Sequence, residues 1–299
     1  MTLDTFLQQL ANGITLGSLF ALVAIGYTMV YGILRLINFA HGEVFMMALY
    51  FAFYGISIFM MPWWLVFPLI IALTALLGIF IERVAYRPLR EKGAPRISML
   101  ISAIGISYFL TNFATVLFSG RPKDFPQIPL FTDVITLGSV RIQKLAIIVP
   151  LITLALLGVL LFLINNTKSG MAMRAASRDT DTAMLMGINV GKTISFTFAI
   201  GSGLAAVGAI MWGLKYPNII PTVGTTPGIK CFIAAVIGGI GNIKGAVVGG
   251  LLLGLIEVLI VAFVPSLTGY RDAFAFIFLI IILLVKPTGL LGEKTADKV

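Results

Sequence analysis

Apolar and polar positions alternate along this chain on a coarse scale. Apolar runs of about 20 residues, each long enough to cross a ~30 Å hydrocarbon core as a helix, recur from one end to the other. Short stretches rich in Gly, Pro and basic residues separate them. The runs predict helices at 10–33, 39–59, 63–83, 97–118, 145–165, 193–214, 229–241, 246–264 and 271–287. The run at 229–241 would be only about 20 Å long by helical rise, so the pattern gives eight or nine crossings. The stretch near 229–245 is short or re-entrant. The fold class is an all-α polytopic membrane protein with glycine-rich packing, and residues 1–299 read as one transmembrane domain.

One internal stretch breaks the apolar pattern for 25 residues, 168–192, KSGMAMRAASRDTDTAMLMGINVGK. Lys168, Arg174, Arg178 and Lys192 face the acidic Asp179 and Asp181, with Gly170 and Gly187 near the ends. Asp179 can cap a short helix over Thr180 to Met186 by accepting from its orphan N–H groups. Ala172, Ala176, Ala183 and Met186 fall near one face. The pattern predicts two short helices with a bend, too polar to enter lipid. Two roles fit: a solvated connector, or a docking helix whose small residues seat in a groove on a partner.

Small residues also recur at four-residue spacing inside the apolar runs. Gly13, Gly17 and Ala21 form one stripe, and Ala246, Gly250 and Gly254 another. Such stripes let helix backbones approach closely where lipid removes the hydrophobic driving force. Two further stretches differ from plain spanning helices: LRLINFAHGE at 34–43 and AVIGGIGNIKGAVVGG at 235–250. Each reads either as an interfacial turn on the cytoplasmic side, which the charges favour, or as broken backbone at membrane depth beside a pathway. Both carry Asn, then His-Gly or Lys-Gly, then small residues, the trace of an internal repeat.

Charge orients the set. Of 299 residues 59% are apolar and 11% charged, with mean hydropathy +1.04. The net charge of +9 does not imply nucleic acid, because the basic residues sit at the ends of apolar runs as topology signals. Arg83, Arg87, Arg90, Lys92 and Arg96 place their loop in the cytoplasm. Counting crossings puts 168–192, Arg35 and the tail bearing Lys286, Lys294 and Lys298 on the same side. The N-terminus and the 119–144 loop fall outside. Met1 to Gln9 lacks the basic start of a signal peptide, so the first run stays as a helix.

Candidate chemistry is sparse. GINVGKT at 187–193 approaches a phosphate loop but is one residue short and leads into a membrane helix instead of following a strand. His41 is the sole histidine and Cys231 the sole cysteine, so neither a metal cluster, an internal disulfide nor a catalytic triad is expected. Glu257, deep in an apolar run, is an intramembrane carboxylate, a residue type that marks pathways or pairs with a neighbour. With Asn12, Asn38, Glu43 and Asn112 it makes up the candidate translocation path. A membrane enzyme is disfavoured by this scarcity. An ion-coupled secondary carrier using Glu257 or Glu43 remains a competing reading.

The chain resembles the LivH-type permeases of branched-chain amino acid ABC importers. The resemblance is carried by NGITLGSLFALVAIGYTMVYGILRLINFAHGEVFMM, LISAIGISYFL, MRAASRDTDTAMLMGINVGKTISFTFAIGSGLAAVGAI, FIAAVIGGIGNIKGAVVGGLLLGLIE and KPTGLLG, which cover nearly the whole chain in family order, with the 119–144 loop as the unmatched part. LRLINFAHGE is also similar to urea and short-amide permeases. The resemblance implies a path formed with a homologous LivM-like permease in the bacterial cytoplasmic (inner) membrane. It implies two cytoplasmic ABC ATPases that bind ATP and Mg, and a periplasmic or extracellular binding protein that delivers the amino acid. No cofactor is expected on this chain. The resemblance favours the docking role for 168–192 and makes Arg174, Ala175, Ser177, Arg178, Asp179, Asp181 and Gly187 the candidate coupling residues.

Overall fold

The computed structural model describes residues 3–137 and 140–292; Lys294 and Lys298, used above for orientation, lie outside the described residues. The helices are α1 (Leu3–Leu34), α2 (His41–Phe53), α3 (Trp63–Ile81), α4 (Arg87–Glu91), α5 (Arg96–Phe118), α6 (Pro129–Thr132), α7 (Leu145–Asn166), α8 (Lys168–Arg178), α9 (Thr180–Leu185), α10 (Val190–Lys215), α11 (Thr225–Gly238), α12 (Ile243–Phe263) and α13 (Arg271–Val285). Wider π turns extend α2 over Tyr54–Ile58 and join α3 to α4 over Glu82–Tyr86. Two short antiparallel ribbons complete the fold: β1 (Lys123–Asp124) with β4 (Asn218–Ile219), and β2 (Val134–Leu137) with β3 (Val140–Gln143).

Among the described residues, eight helices are long and apolar enough to cross a membrane, and α11 is too short to do so alone. α1 and α10 are buried almost throughout, whereas α5, α7 and α13 bury only scattered positions and turn Ile101, Phe109, Leu151, Phe162 and Leu284 outward. The centre is therefore a cluster of α1, α2, α10, α11 and α12, with the lipid-facing helices around it.

Glycine determines how closely that centre packs. The two small-residue stripes meet face to face: Gly17 lies against Gly250 and Leu251, and Gly254 against the backbone of Gly17. A Cβ on Gly17 would stand 2.7 Å from Leu251 Cα. In lipid this contact supplies dispersion and backbone proximity where no hydrophobic gain is available.

The 34–43 stretch differs from the interfacial turn that its charges favour. After Leu34 the chain turns at Arg35, whose φ is 51°. It then re-enters the bundle, and His41, Gly42 and Glu43 start α2 as buried residues. His41 packs on Gly26 of α1, where a Cβ would lie 2.7 Å from its ring. Gly42 abuts Gly224 and Gly228 at the start of α11. The two helix N-termini thus meet inside the bundle. Charge counting registers side chains only, and here the approach is made by glycine backbones. At 235–250 the chain does turn at the end of the bundle, between α11 and α12, with Gly238 against Gly245 and Gly249 against Ala234.

A second difference lies after residue 83. The expected loop is helical as far as Glu91, because Glu82, wholly buried, accepts from Arg90 at 3.1 Å and from Ser195 of α10 at 2.6 Å. With Arg87 Nε also 3.8 Å from the same carboxylate, two of the topology-setting arginines, Arg87 and Arg90, are part of the bundle's end.

Candidate functional site

On the basic end, α7 stops at Asn166 and the chain folds back. Thr167 caps α8, its hydroxyl accepting from the Gly170 N–H at 3.1 Å. Gly170 sits directly on the Leu163 and Ile164 carbonyls, a separation that leaves no room for a side chain. Arg174 donates from Nη1 to the Ile164 carbonyl, and the Ser177 hydroxyl donates to the Arg174 carbonyl at 2.8 Å. Gly170, Met173 and Ala176 form the buried face of α8. Asp179 then breaks the helix in extended conformation and caps α9, accepting from Asp181 N at 3.0 Å and Thr182 N at 3.1 Å. Gly187 ends the unit with φ +81°, a left-handed value that favours glycine.

The two short helices with a bend are therefore present, and of α9 only Ala183 is buried. Arg178 and Asp181 are exposed, Ala175 is half-buried. The outer surface carries Met184, Leu185 at 87% exposure and Met186 at 78%. These three apolar residues lie beyond the membrane helices, at the end marked by Arg83, Lys92 and Arg96. Sequence reasoning set Met186 on one face with Ala172, Ala176 and Ala183. Ala176 and Ala183 are buried and Met186 is exposed, because the bend at Asp179 and the end of α9 turn it outward; Met184 and Leu185 were passed over. The run AMLMG was the available signal.

The five path candidates are not brought together. Asn12 donates to Gln9 one turn back at 3.4 Å. Asn112 is exposed and donates to the Tyr108 carbonyl at 2.8 Å. Asn38 accepts from the Tyr86 hydroxyl at 2.8 Å and from Ala40 N at 3.2 Å. Glu43 is buried in the first turn of α2. Glu257 belongs elsewhere: its Oε1 is 2.8 Å from Lys230 Nζ and 3.5 Å from Arg271 Nε. Lys230 reaches a second carboxylate, Asp272, at 2.7 Å. This quartet pins α11 to α12 and α13. Lys230 went unnoticed in the sequence although a lysine in an apolar run calls for an acidic partner.

Among the described residues no group of three or more His, Cys, Asp or Glu could hold a metal ion.

Eight helices long and apolar enough to cross a membrane, with the starts of α2 and α11 meeting inside the bundle and a capped helical pair at one end, make this a polytopic membrane protein. Residues 9–283 match the sequence profile of the family described as branched-chain amino acid transport system, permease component, and the chain belongs to that family. It is 44% identical to the high-affinity branched-chain amino acid transport system permease protein BraD of Pseudomonas aeruginosa, over 98% of both chains. The same identity and coverage hold for the permease protein LivH of Escherichia coli strain K12. A probable permease protein LivH of Methanocaldococcus jannaschii is 27% identical over 95% of this chain and 91% of its own. No solved structure matches it. The chain is a transport subunit, a multi-pass protein of the bacterial inner membrane.

Proposed function

We propose that this chain is a transmembrane permease of an ATP-driven importer, carrying leucine, isoleucine and valine inward. It works with a homologous second permease, two cytoplasmic ATPases and an external binding protein. The observation that carries the reading is the α8–α9 pair. Its inner face is fixed to α7 by Gly170 and Arg174, and its outer face offers Met184, Leu185 and Met186 to a partner. Exposed methionine-rich apolar surface outside lipid is the property of an interface. An ATPase groove seated there would move α8 as a rigid lever on the ends of α7 and α10, because Thr167, Asp179 and Asn189 cap every joint.

The roles follow. Arg174 and Ser177 set the angle of α8, Asp179 and Gly187 define α9, and Ala175, Arg178 and Asp181 contribute contact surface. ATP and Mg belong to the partner ATPases. Of the two carboxylates open to the carrier reading, Glu257 is held between Lys230 and Arg271, a structural ion pair that argues against a coupling role for it.

Reconstitution tests this. Proteoliposomes holding the permeases and ATPases, supplied with binding protein and labelled leucine outside, are expected to accumulate leucine only with ATP at the ATPase face. Accumulation driven by a proton or sodium gradient without ATPases would overturn the reading.

A further inference from the structure

α11 enters the bundle from the outer side. From β4 at Asn218–Ile219 the chain descends through a turn at 220–224 and becomes helical only at Thr225. By helical rise Thr225 stands about 20 Å above Gly238 at the basic end, well inside a ~30 Å hydrocarbon core. Gly224, Pro227 and Gly228 are buried here, while Thr222, Thr225, Thr226 and Ile229 are exposed. One side of this segment is packed and the other is open.

Two observations exclude lipid on the open side. The first is the hydroxyls. On the lipid-facing α5 the exposed Asn112 and Thr115 return their polar groups to carbonyls one turn back. Thr222, Thr225 and Thr226 have no helical turn before them, and among the described residues their hydroxyls make no hydrogen bond. The second is charge. Lys230, one turn below Thr226, pairs with Asp272, whose side chain is 61% exposed. Asp272 stands at the same height, about 20 Å above Val285 along α13. Irregular backbone, free hydroxyls and an open carboxylate occur at membrane depth where protein or water covers them.

We propose that this face of α11 lines the water-filled transport path, with the second permease as the opposite wall. The inference rests on the permease reading and adds to it where the path runs and which side chains border it. Water covers the face better than a dry contact does. The centres of protein interfaces are depleted of charge, and a dry partner would have to answer each hydroxyl and the carboxylate separately. Further toward the basic end the face turns apolar, through Ile229 to Phe232, whose ring lies 6.4 Å from that of the exposed Phe39. From the outside inward the path therefore passes a carboxylate, then hydroxyls, then an aliphatic and an aromatic stretch of the kind that closes by dewetting.

Cysteine accessibility in proteoliposomes of the whole complex tests this. Cys231 is the sole cysteine and is buried, so Cys231→Ala supplies the background. Thr222→Cys, Thr226→Cys and, on the lipid-facing side of α7, Leu154→Cys are treated with a small charged methanethiosulfonate. Only a thiolate reacts, and it forms only in water, so the two threonine positions are expected to react at least about tenfold faster than Leu154→Cys. Their modification is expected to stop ATP-driven leucine uptake, while Thr226→Ser keeps it. Wild type gives an independent reading: hydroxyl radicals generated in the water are expected to oxidise Ile229 and Phe232 and to spare Leu154. Threonine positions no faster than Leu154→Cys, or Ile229 and Phe232 spared, mean a dry face and overturn the proposal. Fast modification that leaves uptake unchanged means water without passage, and overturns it too. The two readings fail separately. Uptake that runs without ATPases yet stops on modification of Thr226→Cys sinks the importer and leaves the path in place; ATP-driven uptake with both positions inert does the reverse.

Discussion

Lys230 Nζ lies 2.8 Å from Glu257 Oε1 and 2.7 Å from Asp272 Oδ1, so one buried ammonium joins α11 to both α12 and α13. α11 starts inside the bundle beside Gly42 and has no long lipid-crossing face of its own. The ion pair adds a charged tie to the glycine contacts that join α11 to α2 and α12. Lys230→Met leaves Glu257 with only the longer Arg271 contact and should destabilise the fold by about 3–5 kcal/mol. Lys230→Met combined with Glu257→Gln should recover most of that loss. Thermal unfolding in detergent reads both. Glu257→Gln alone should retain ATP-driven uptake, since Lys230 keeps Asp272; abolished uptake with assembly intact would return Glu257 to a coupling role.

The stripe contact between α1 and α12 should tolerate no side chain. Gly254→Val would drive its methyls into the Gly17 backbone and should abolish the folded, detergent-stable form. Gly158 of α7, with nothing within 4 Å of its added Cβ, is the control. Gly158→Ala should fold normally, with stability unchanged or raised by up to about 1 kcal/mol from helix propensity. Yield of monodisperse protein after size exclusion compares the two.

Much of this architecture was readable from periodicity. Apolar runs located the spanning helices, because a bilayer imposes its thickness on them directly. Both glycine stripes were visible, although a stripe does not name its partner, and that Gly17 meets Gly254 emerges only from the packed bundle. The capping logic of Asp179 was legible since it is local, requiring only the next few residues. What sequence could not give was depth. The segment Arg35–Glu43 carries charges that suggest a surface turn, yet Gly26, Gly42, Gly224 and Gly228 admit it to the interior. Lys230 and Glu257 are 27 residues apart on different helices, so Glu257 looked like an isolated oddity and Lys230 drew no notice. Met184 and Leu185 resembled ordinary apolar filler, and Met186 looked like part of the Ala183 face, until burial separated all three from Ala183.

The caps of the coupling segment should matter for partner affinity more than for folding. Asp179→Ala removes acceptors from two N–H groups of α9 and should cost about 1 kcal/mol of local order. Hydrogen exchange should quicken over Thr180–Leu185 while the membrane helices stay protected. ATPase affinity should fall as the ordering cost moves to the binding step. Unchanged exchange in α9 would mean that the helix is held by contacts other than its cap.

Copurification from detergent tests the central claim most directly. The chain is tagged and wild type is compared with a Leu185→Glu, Met186→Glu double variant, which alters exposed residues and leaves the Thr167, Arg174 and Asp179 joints in place. The expected result is that two ATPases and a second permease follow the wild type, while the double variant keeps the second permease and loses the ATPases. Retention of the ATPases at wild-type levels by the double variant would contradict the account, as would their absence from wild type under conditions that preserve uptake.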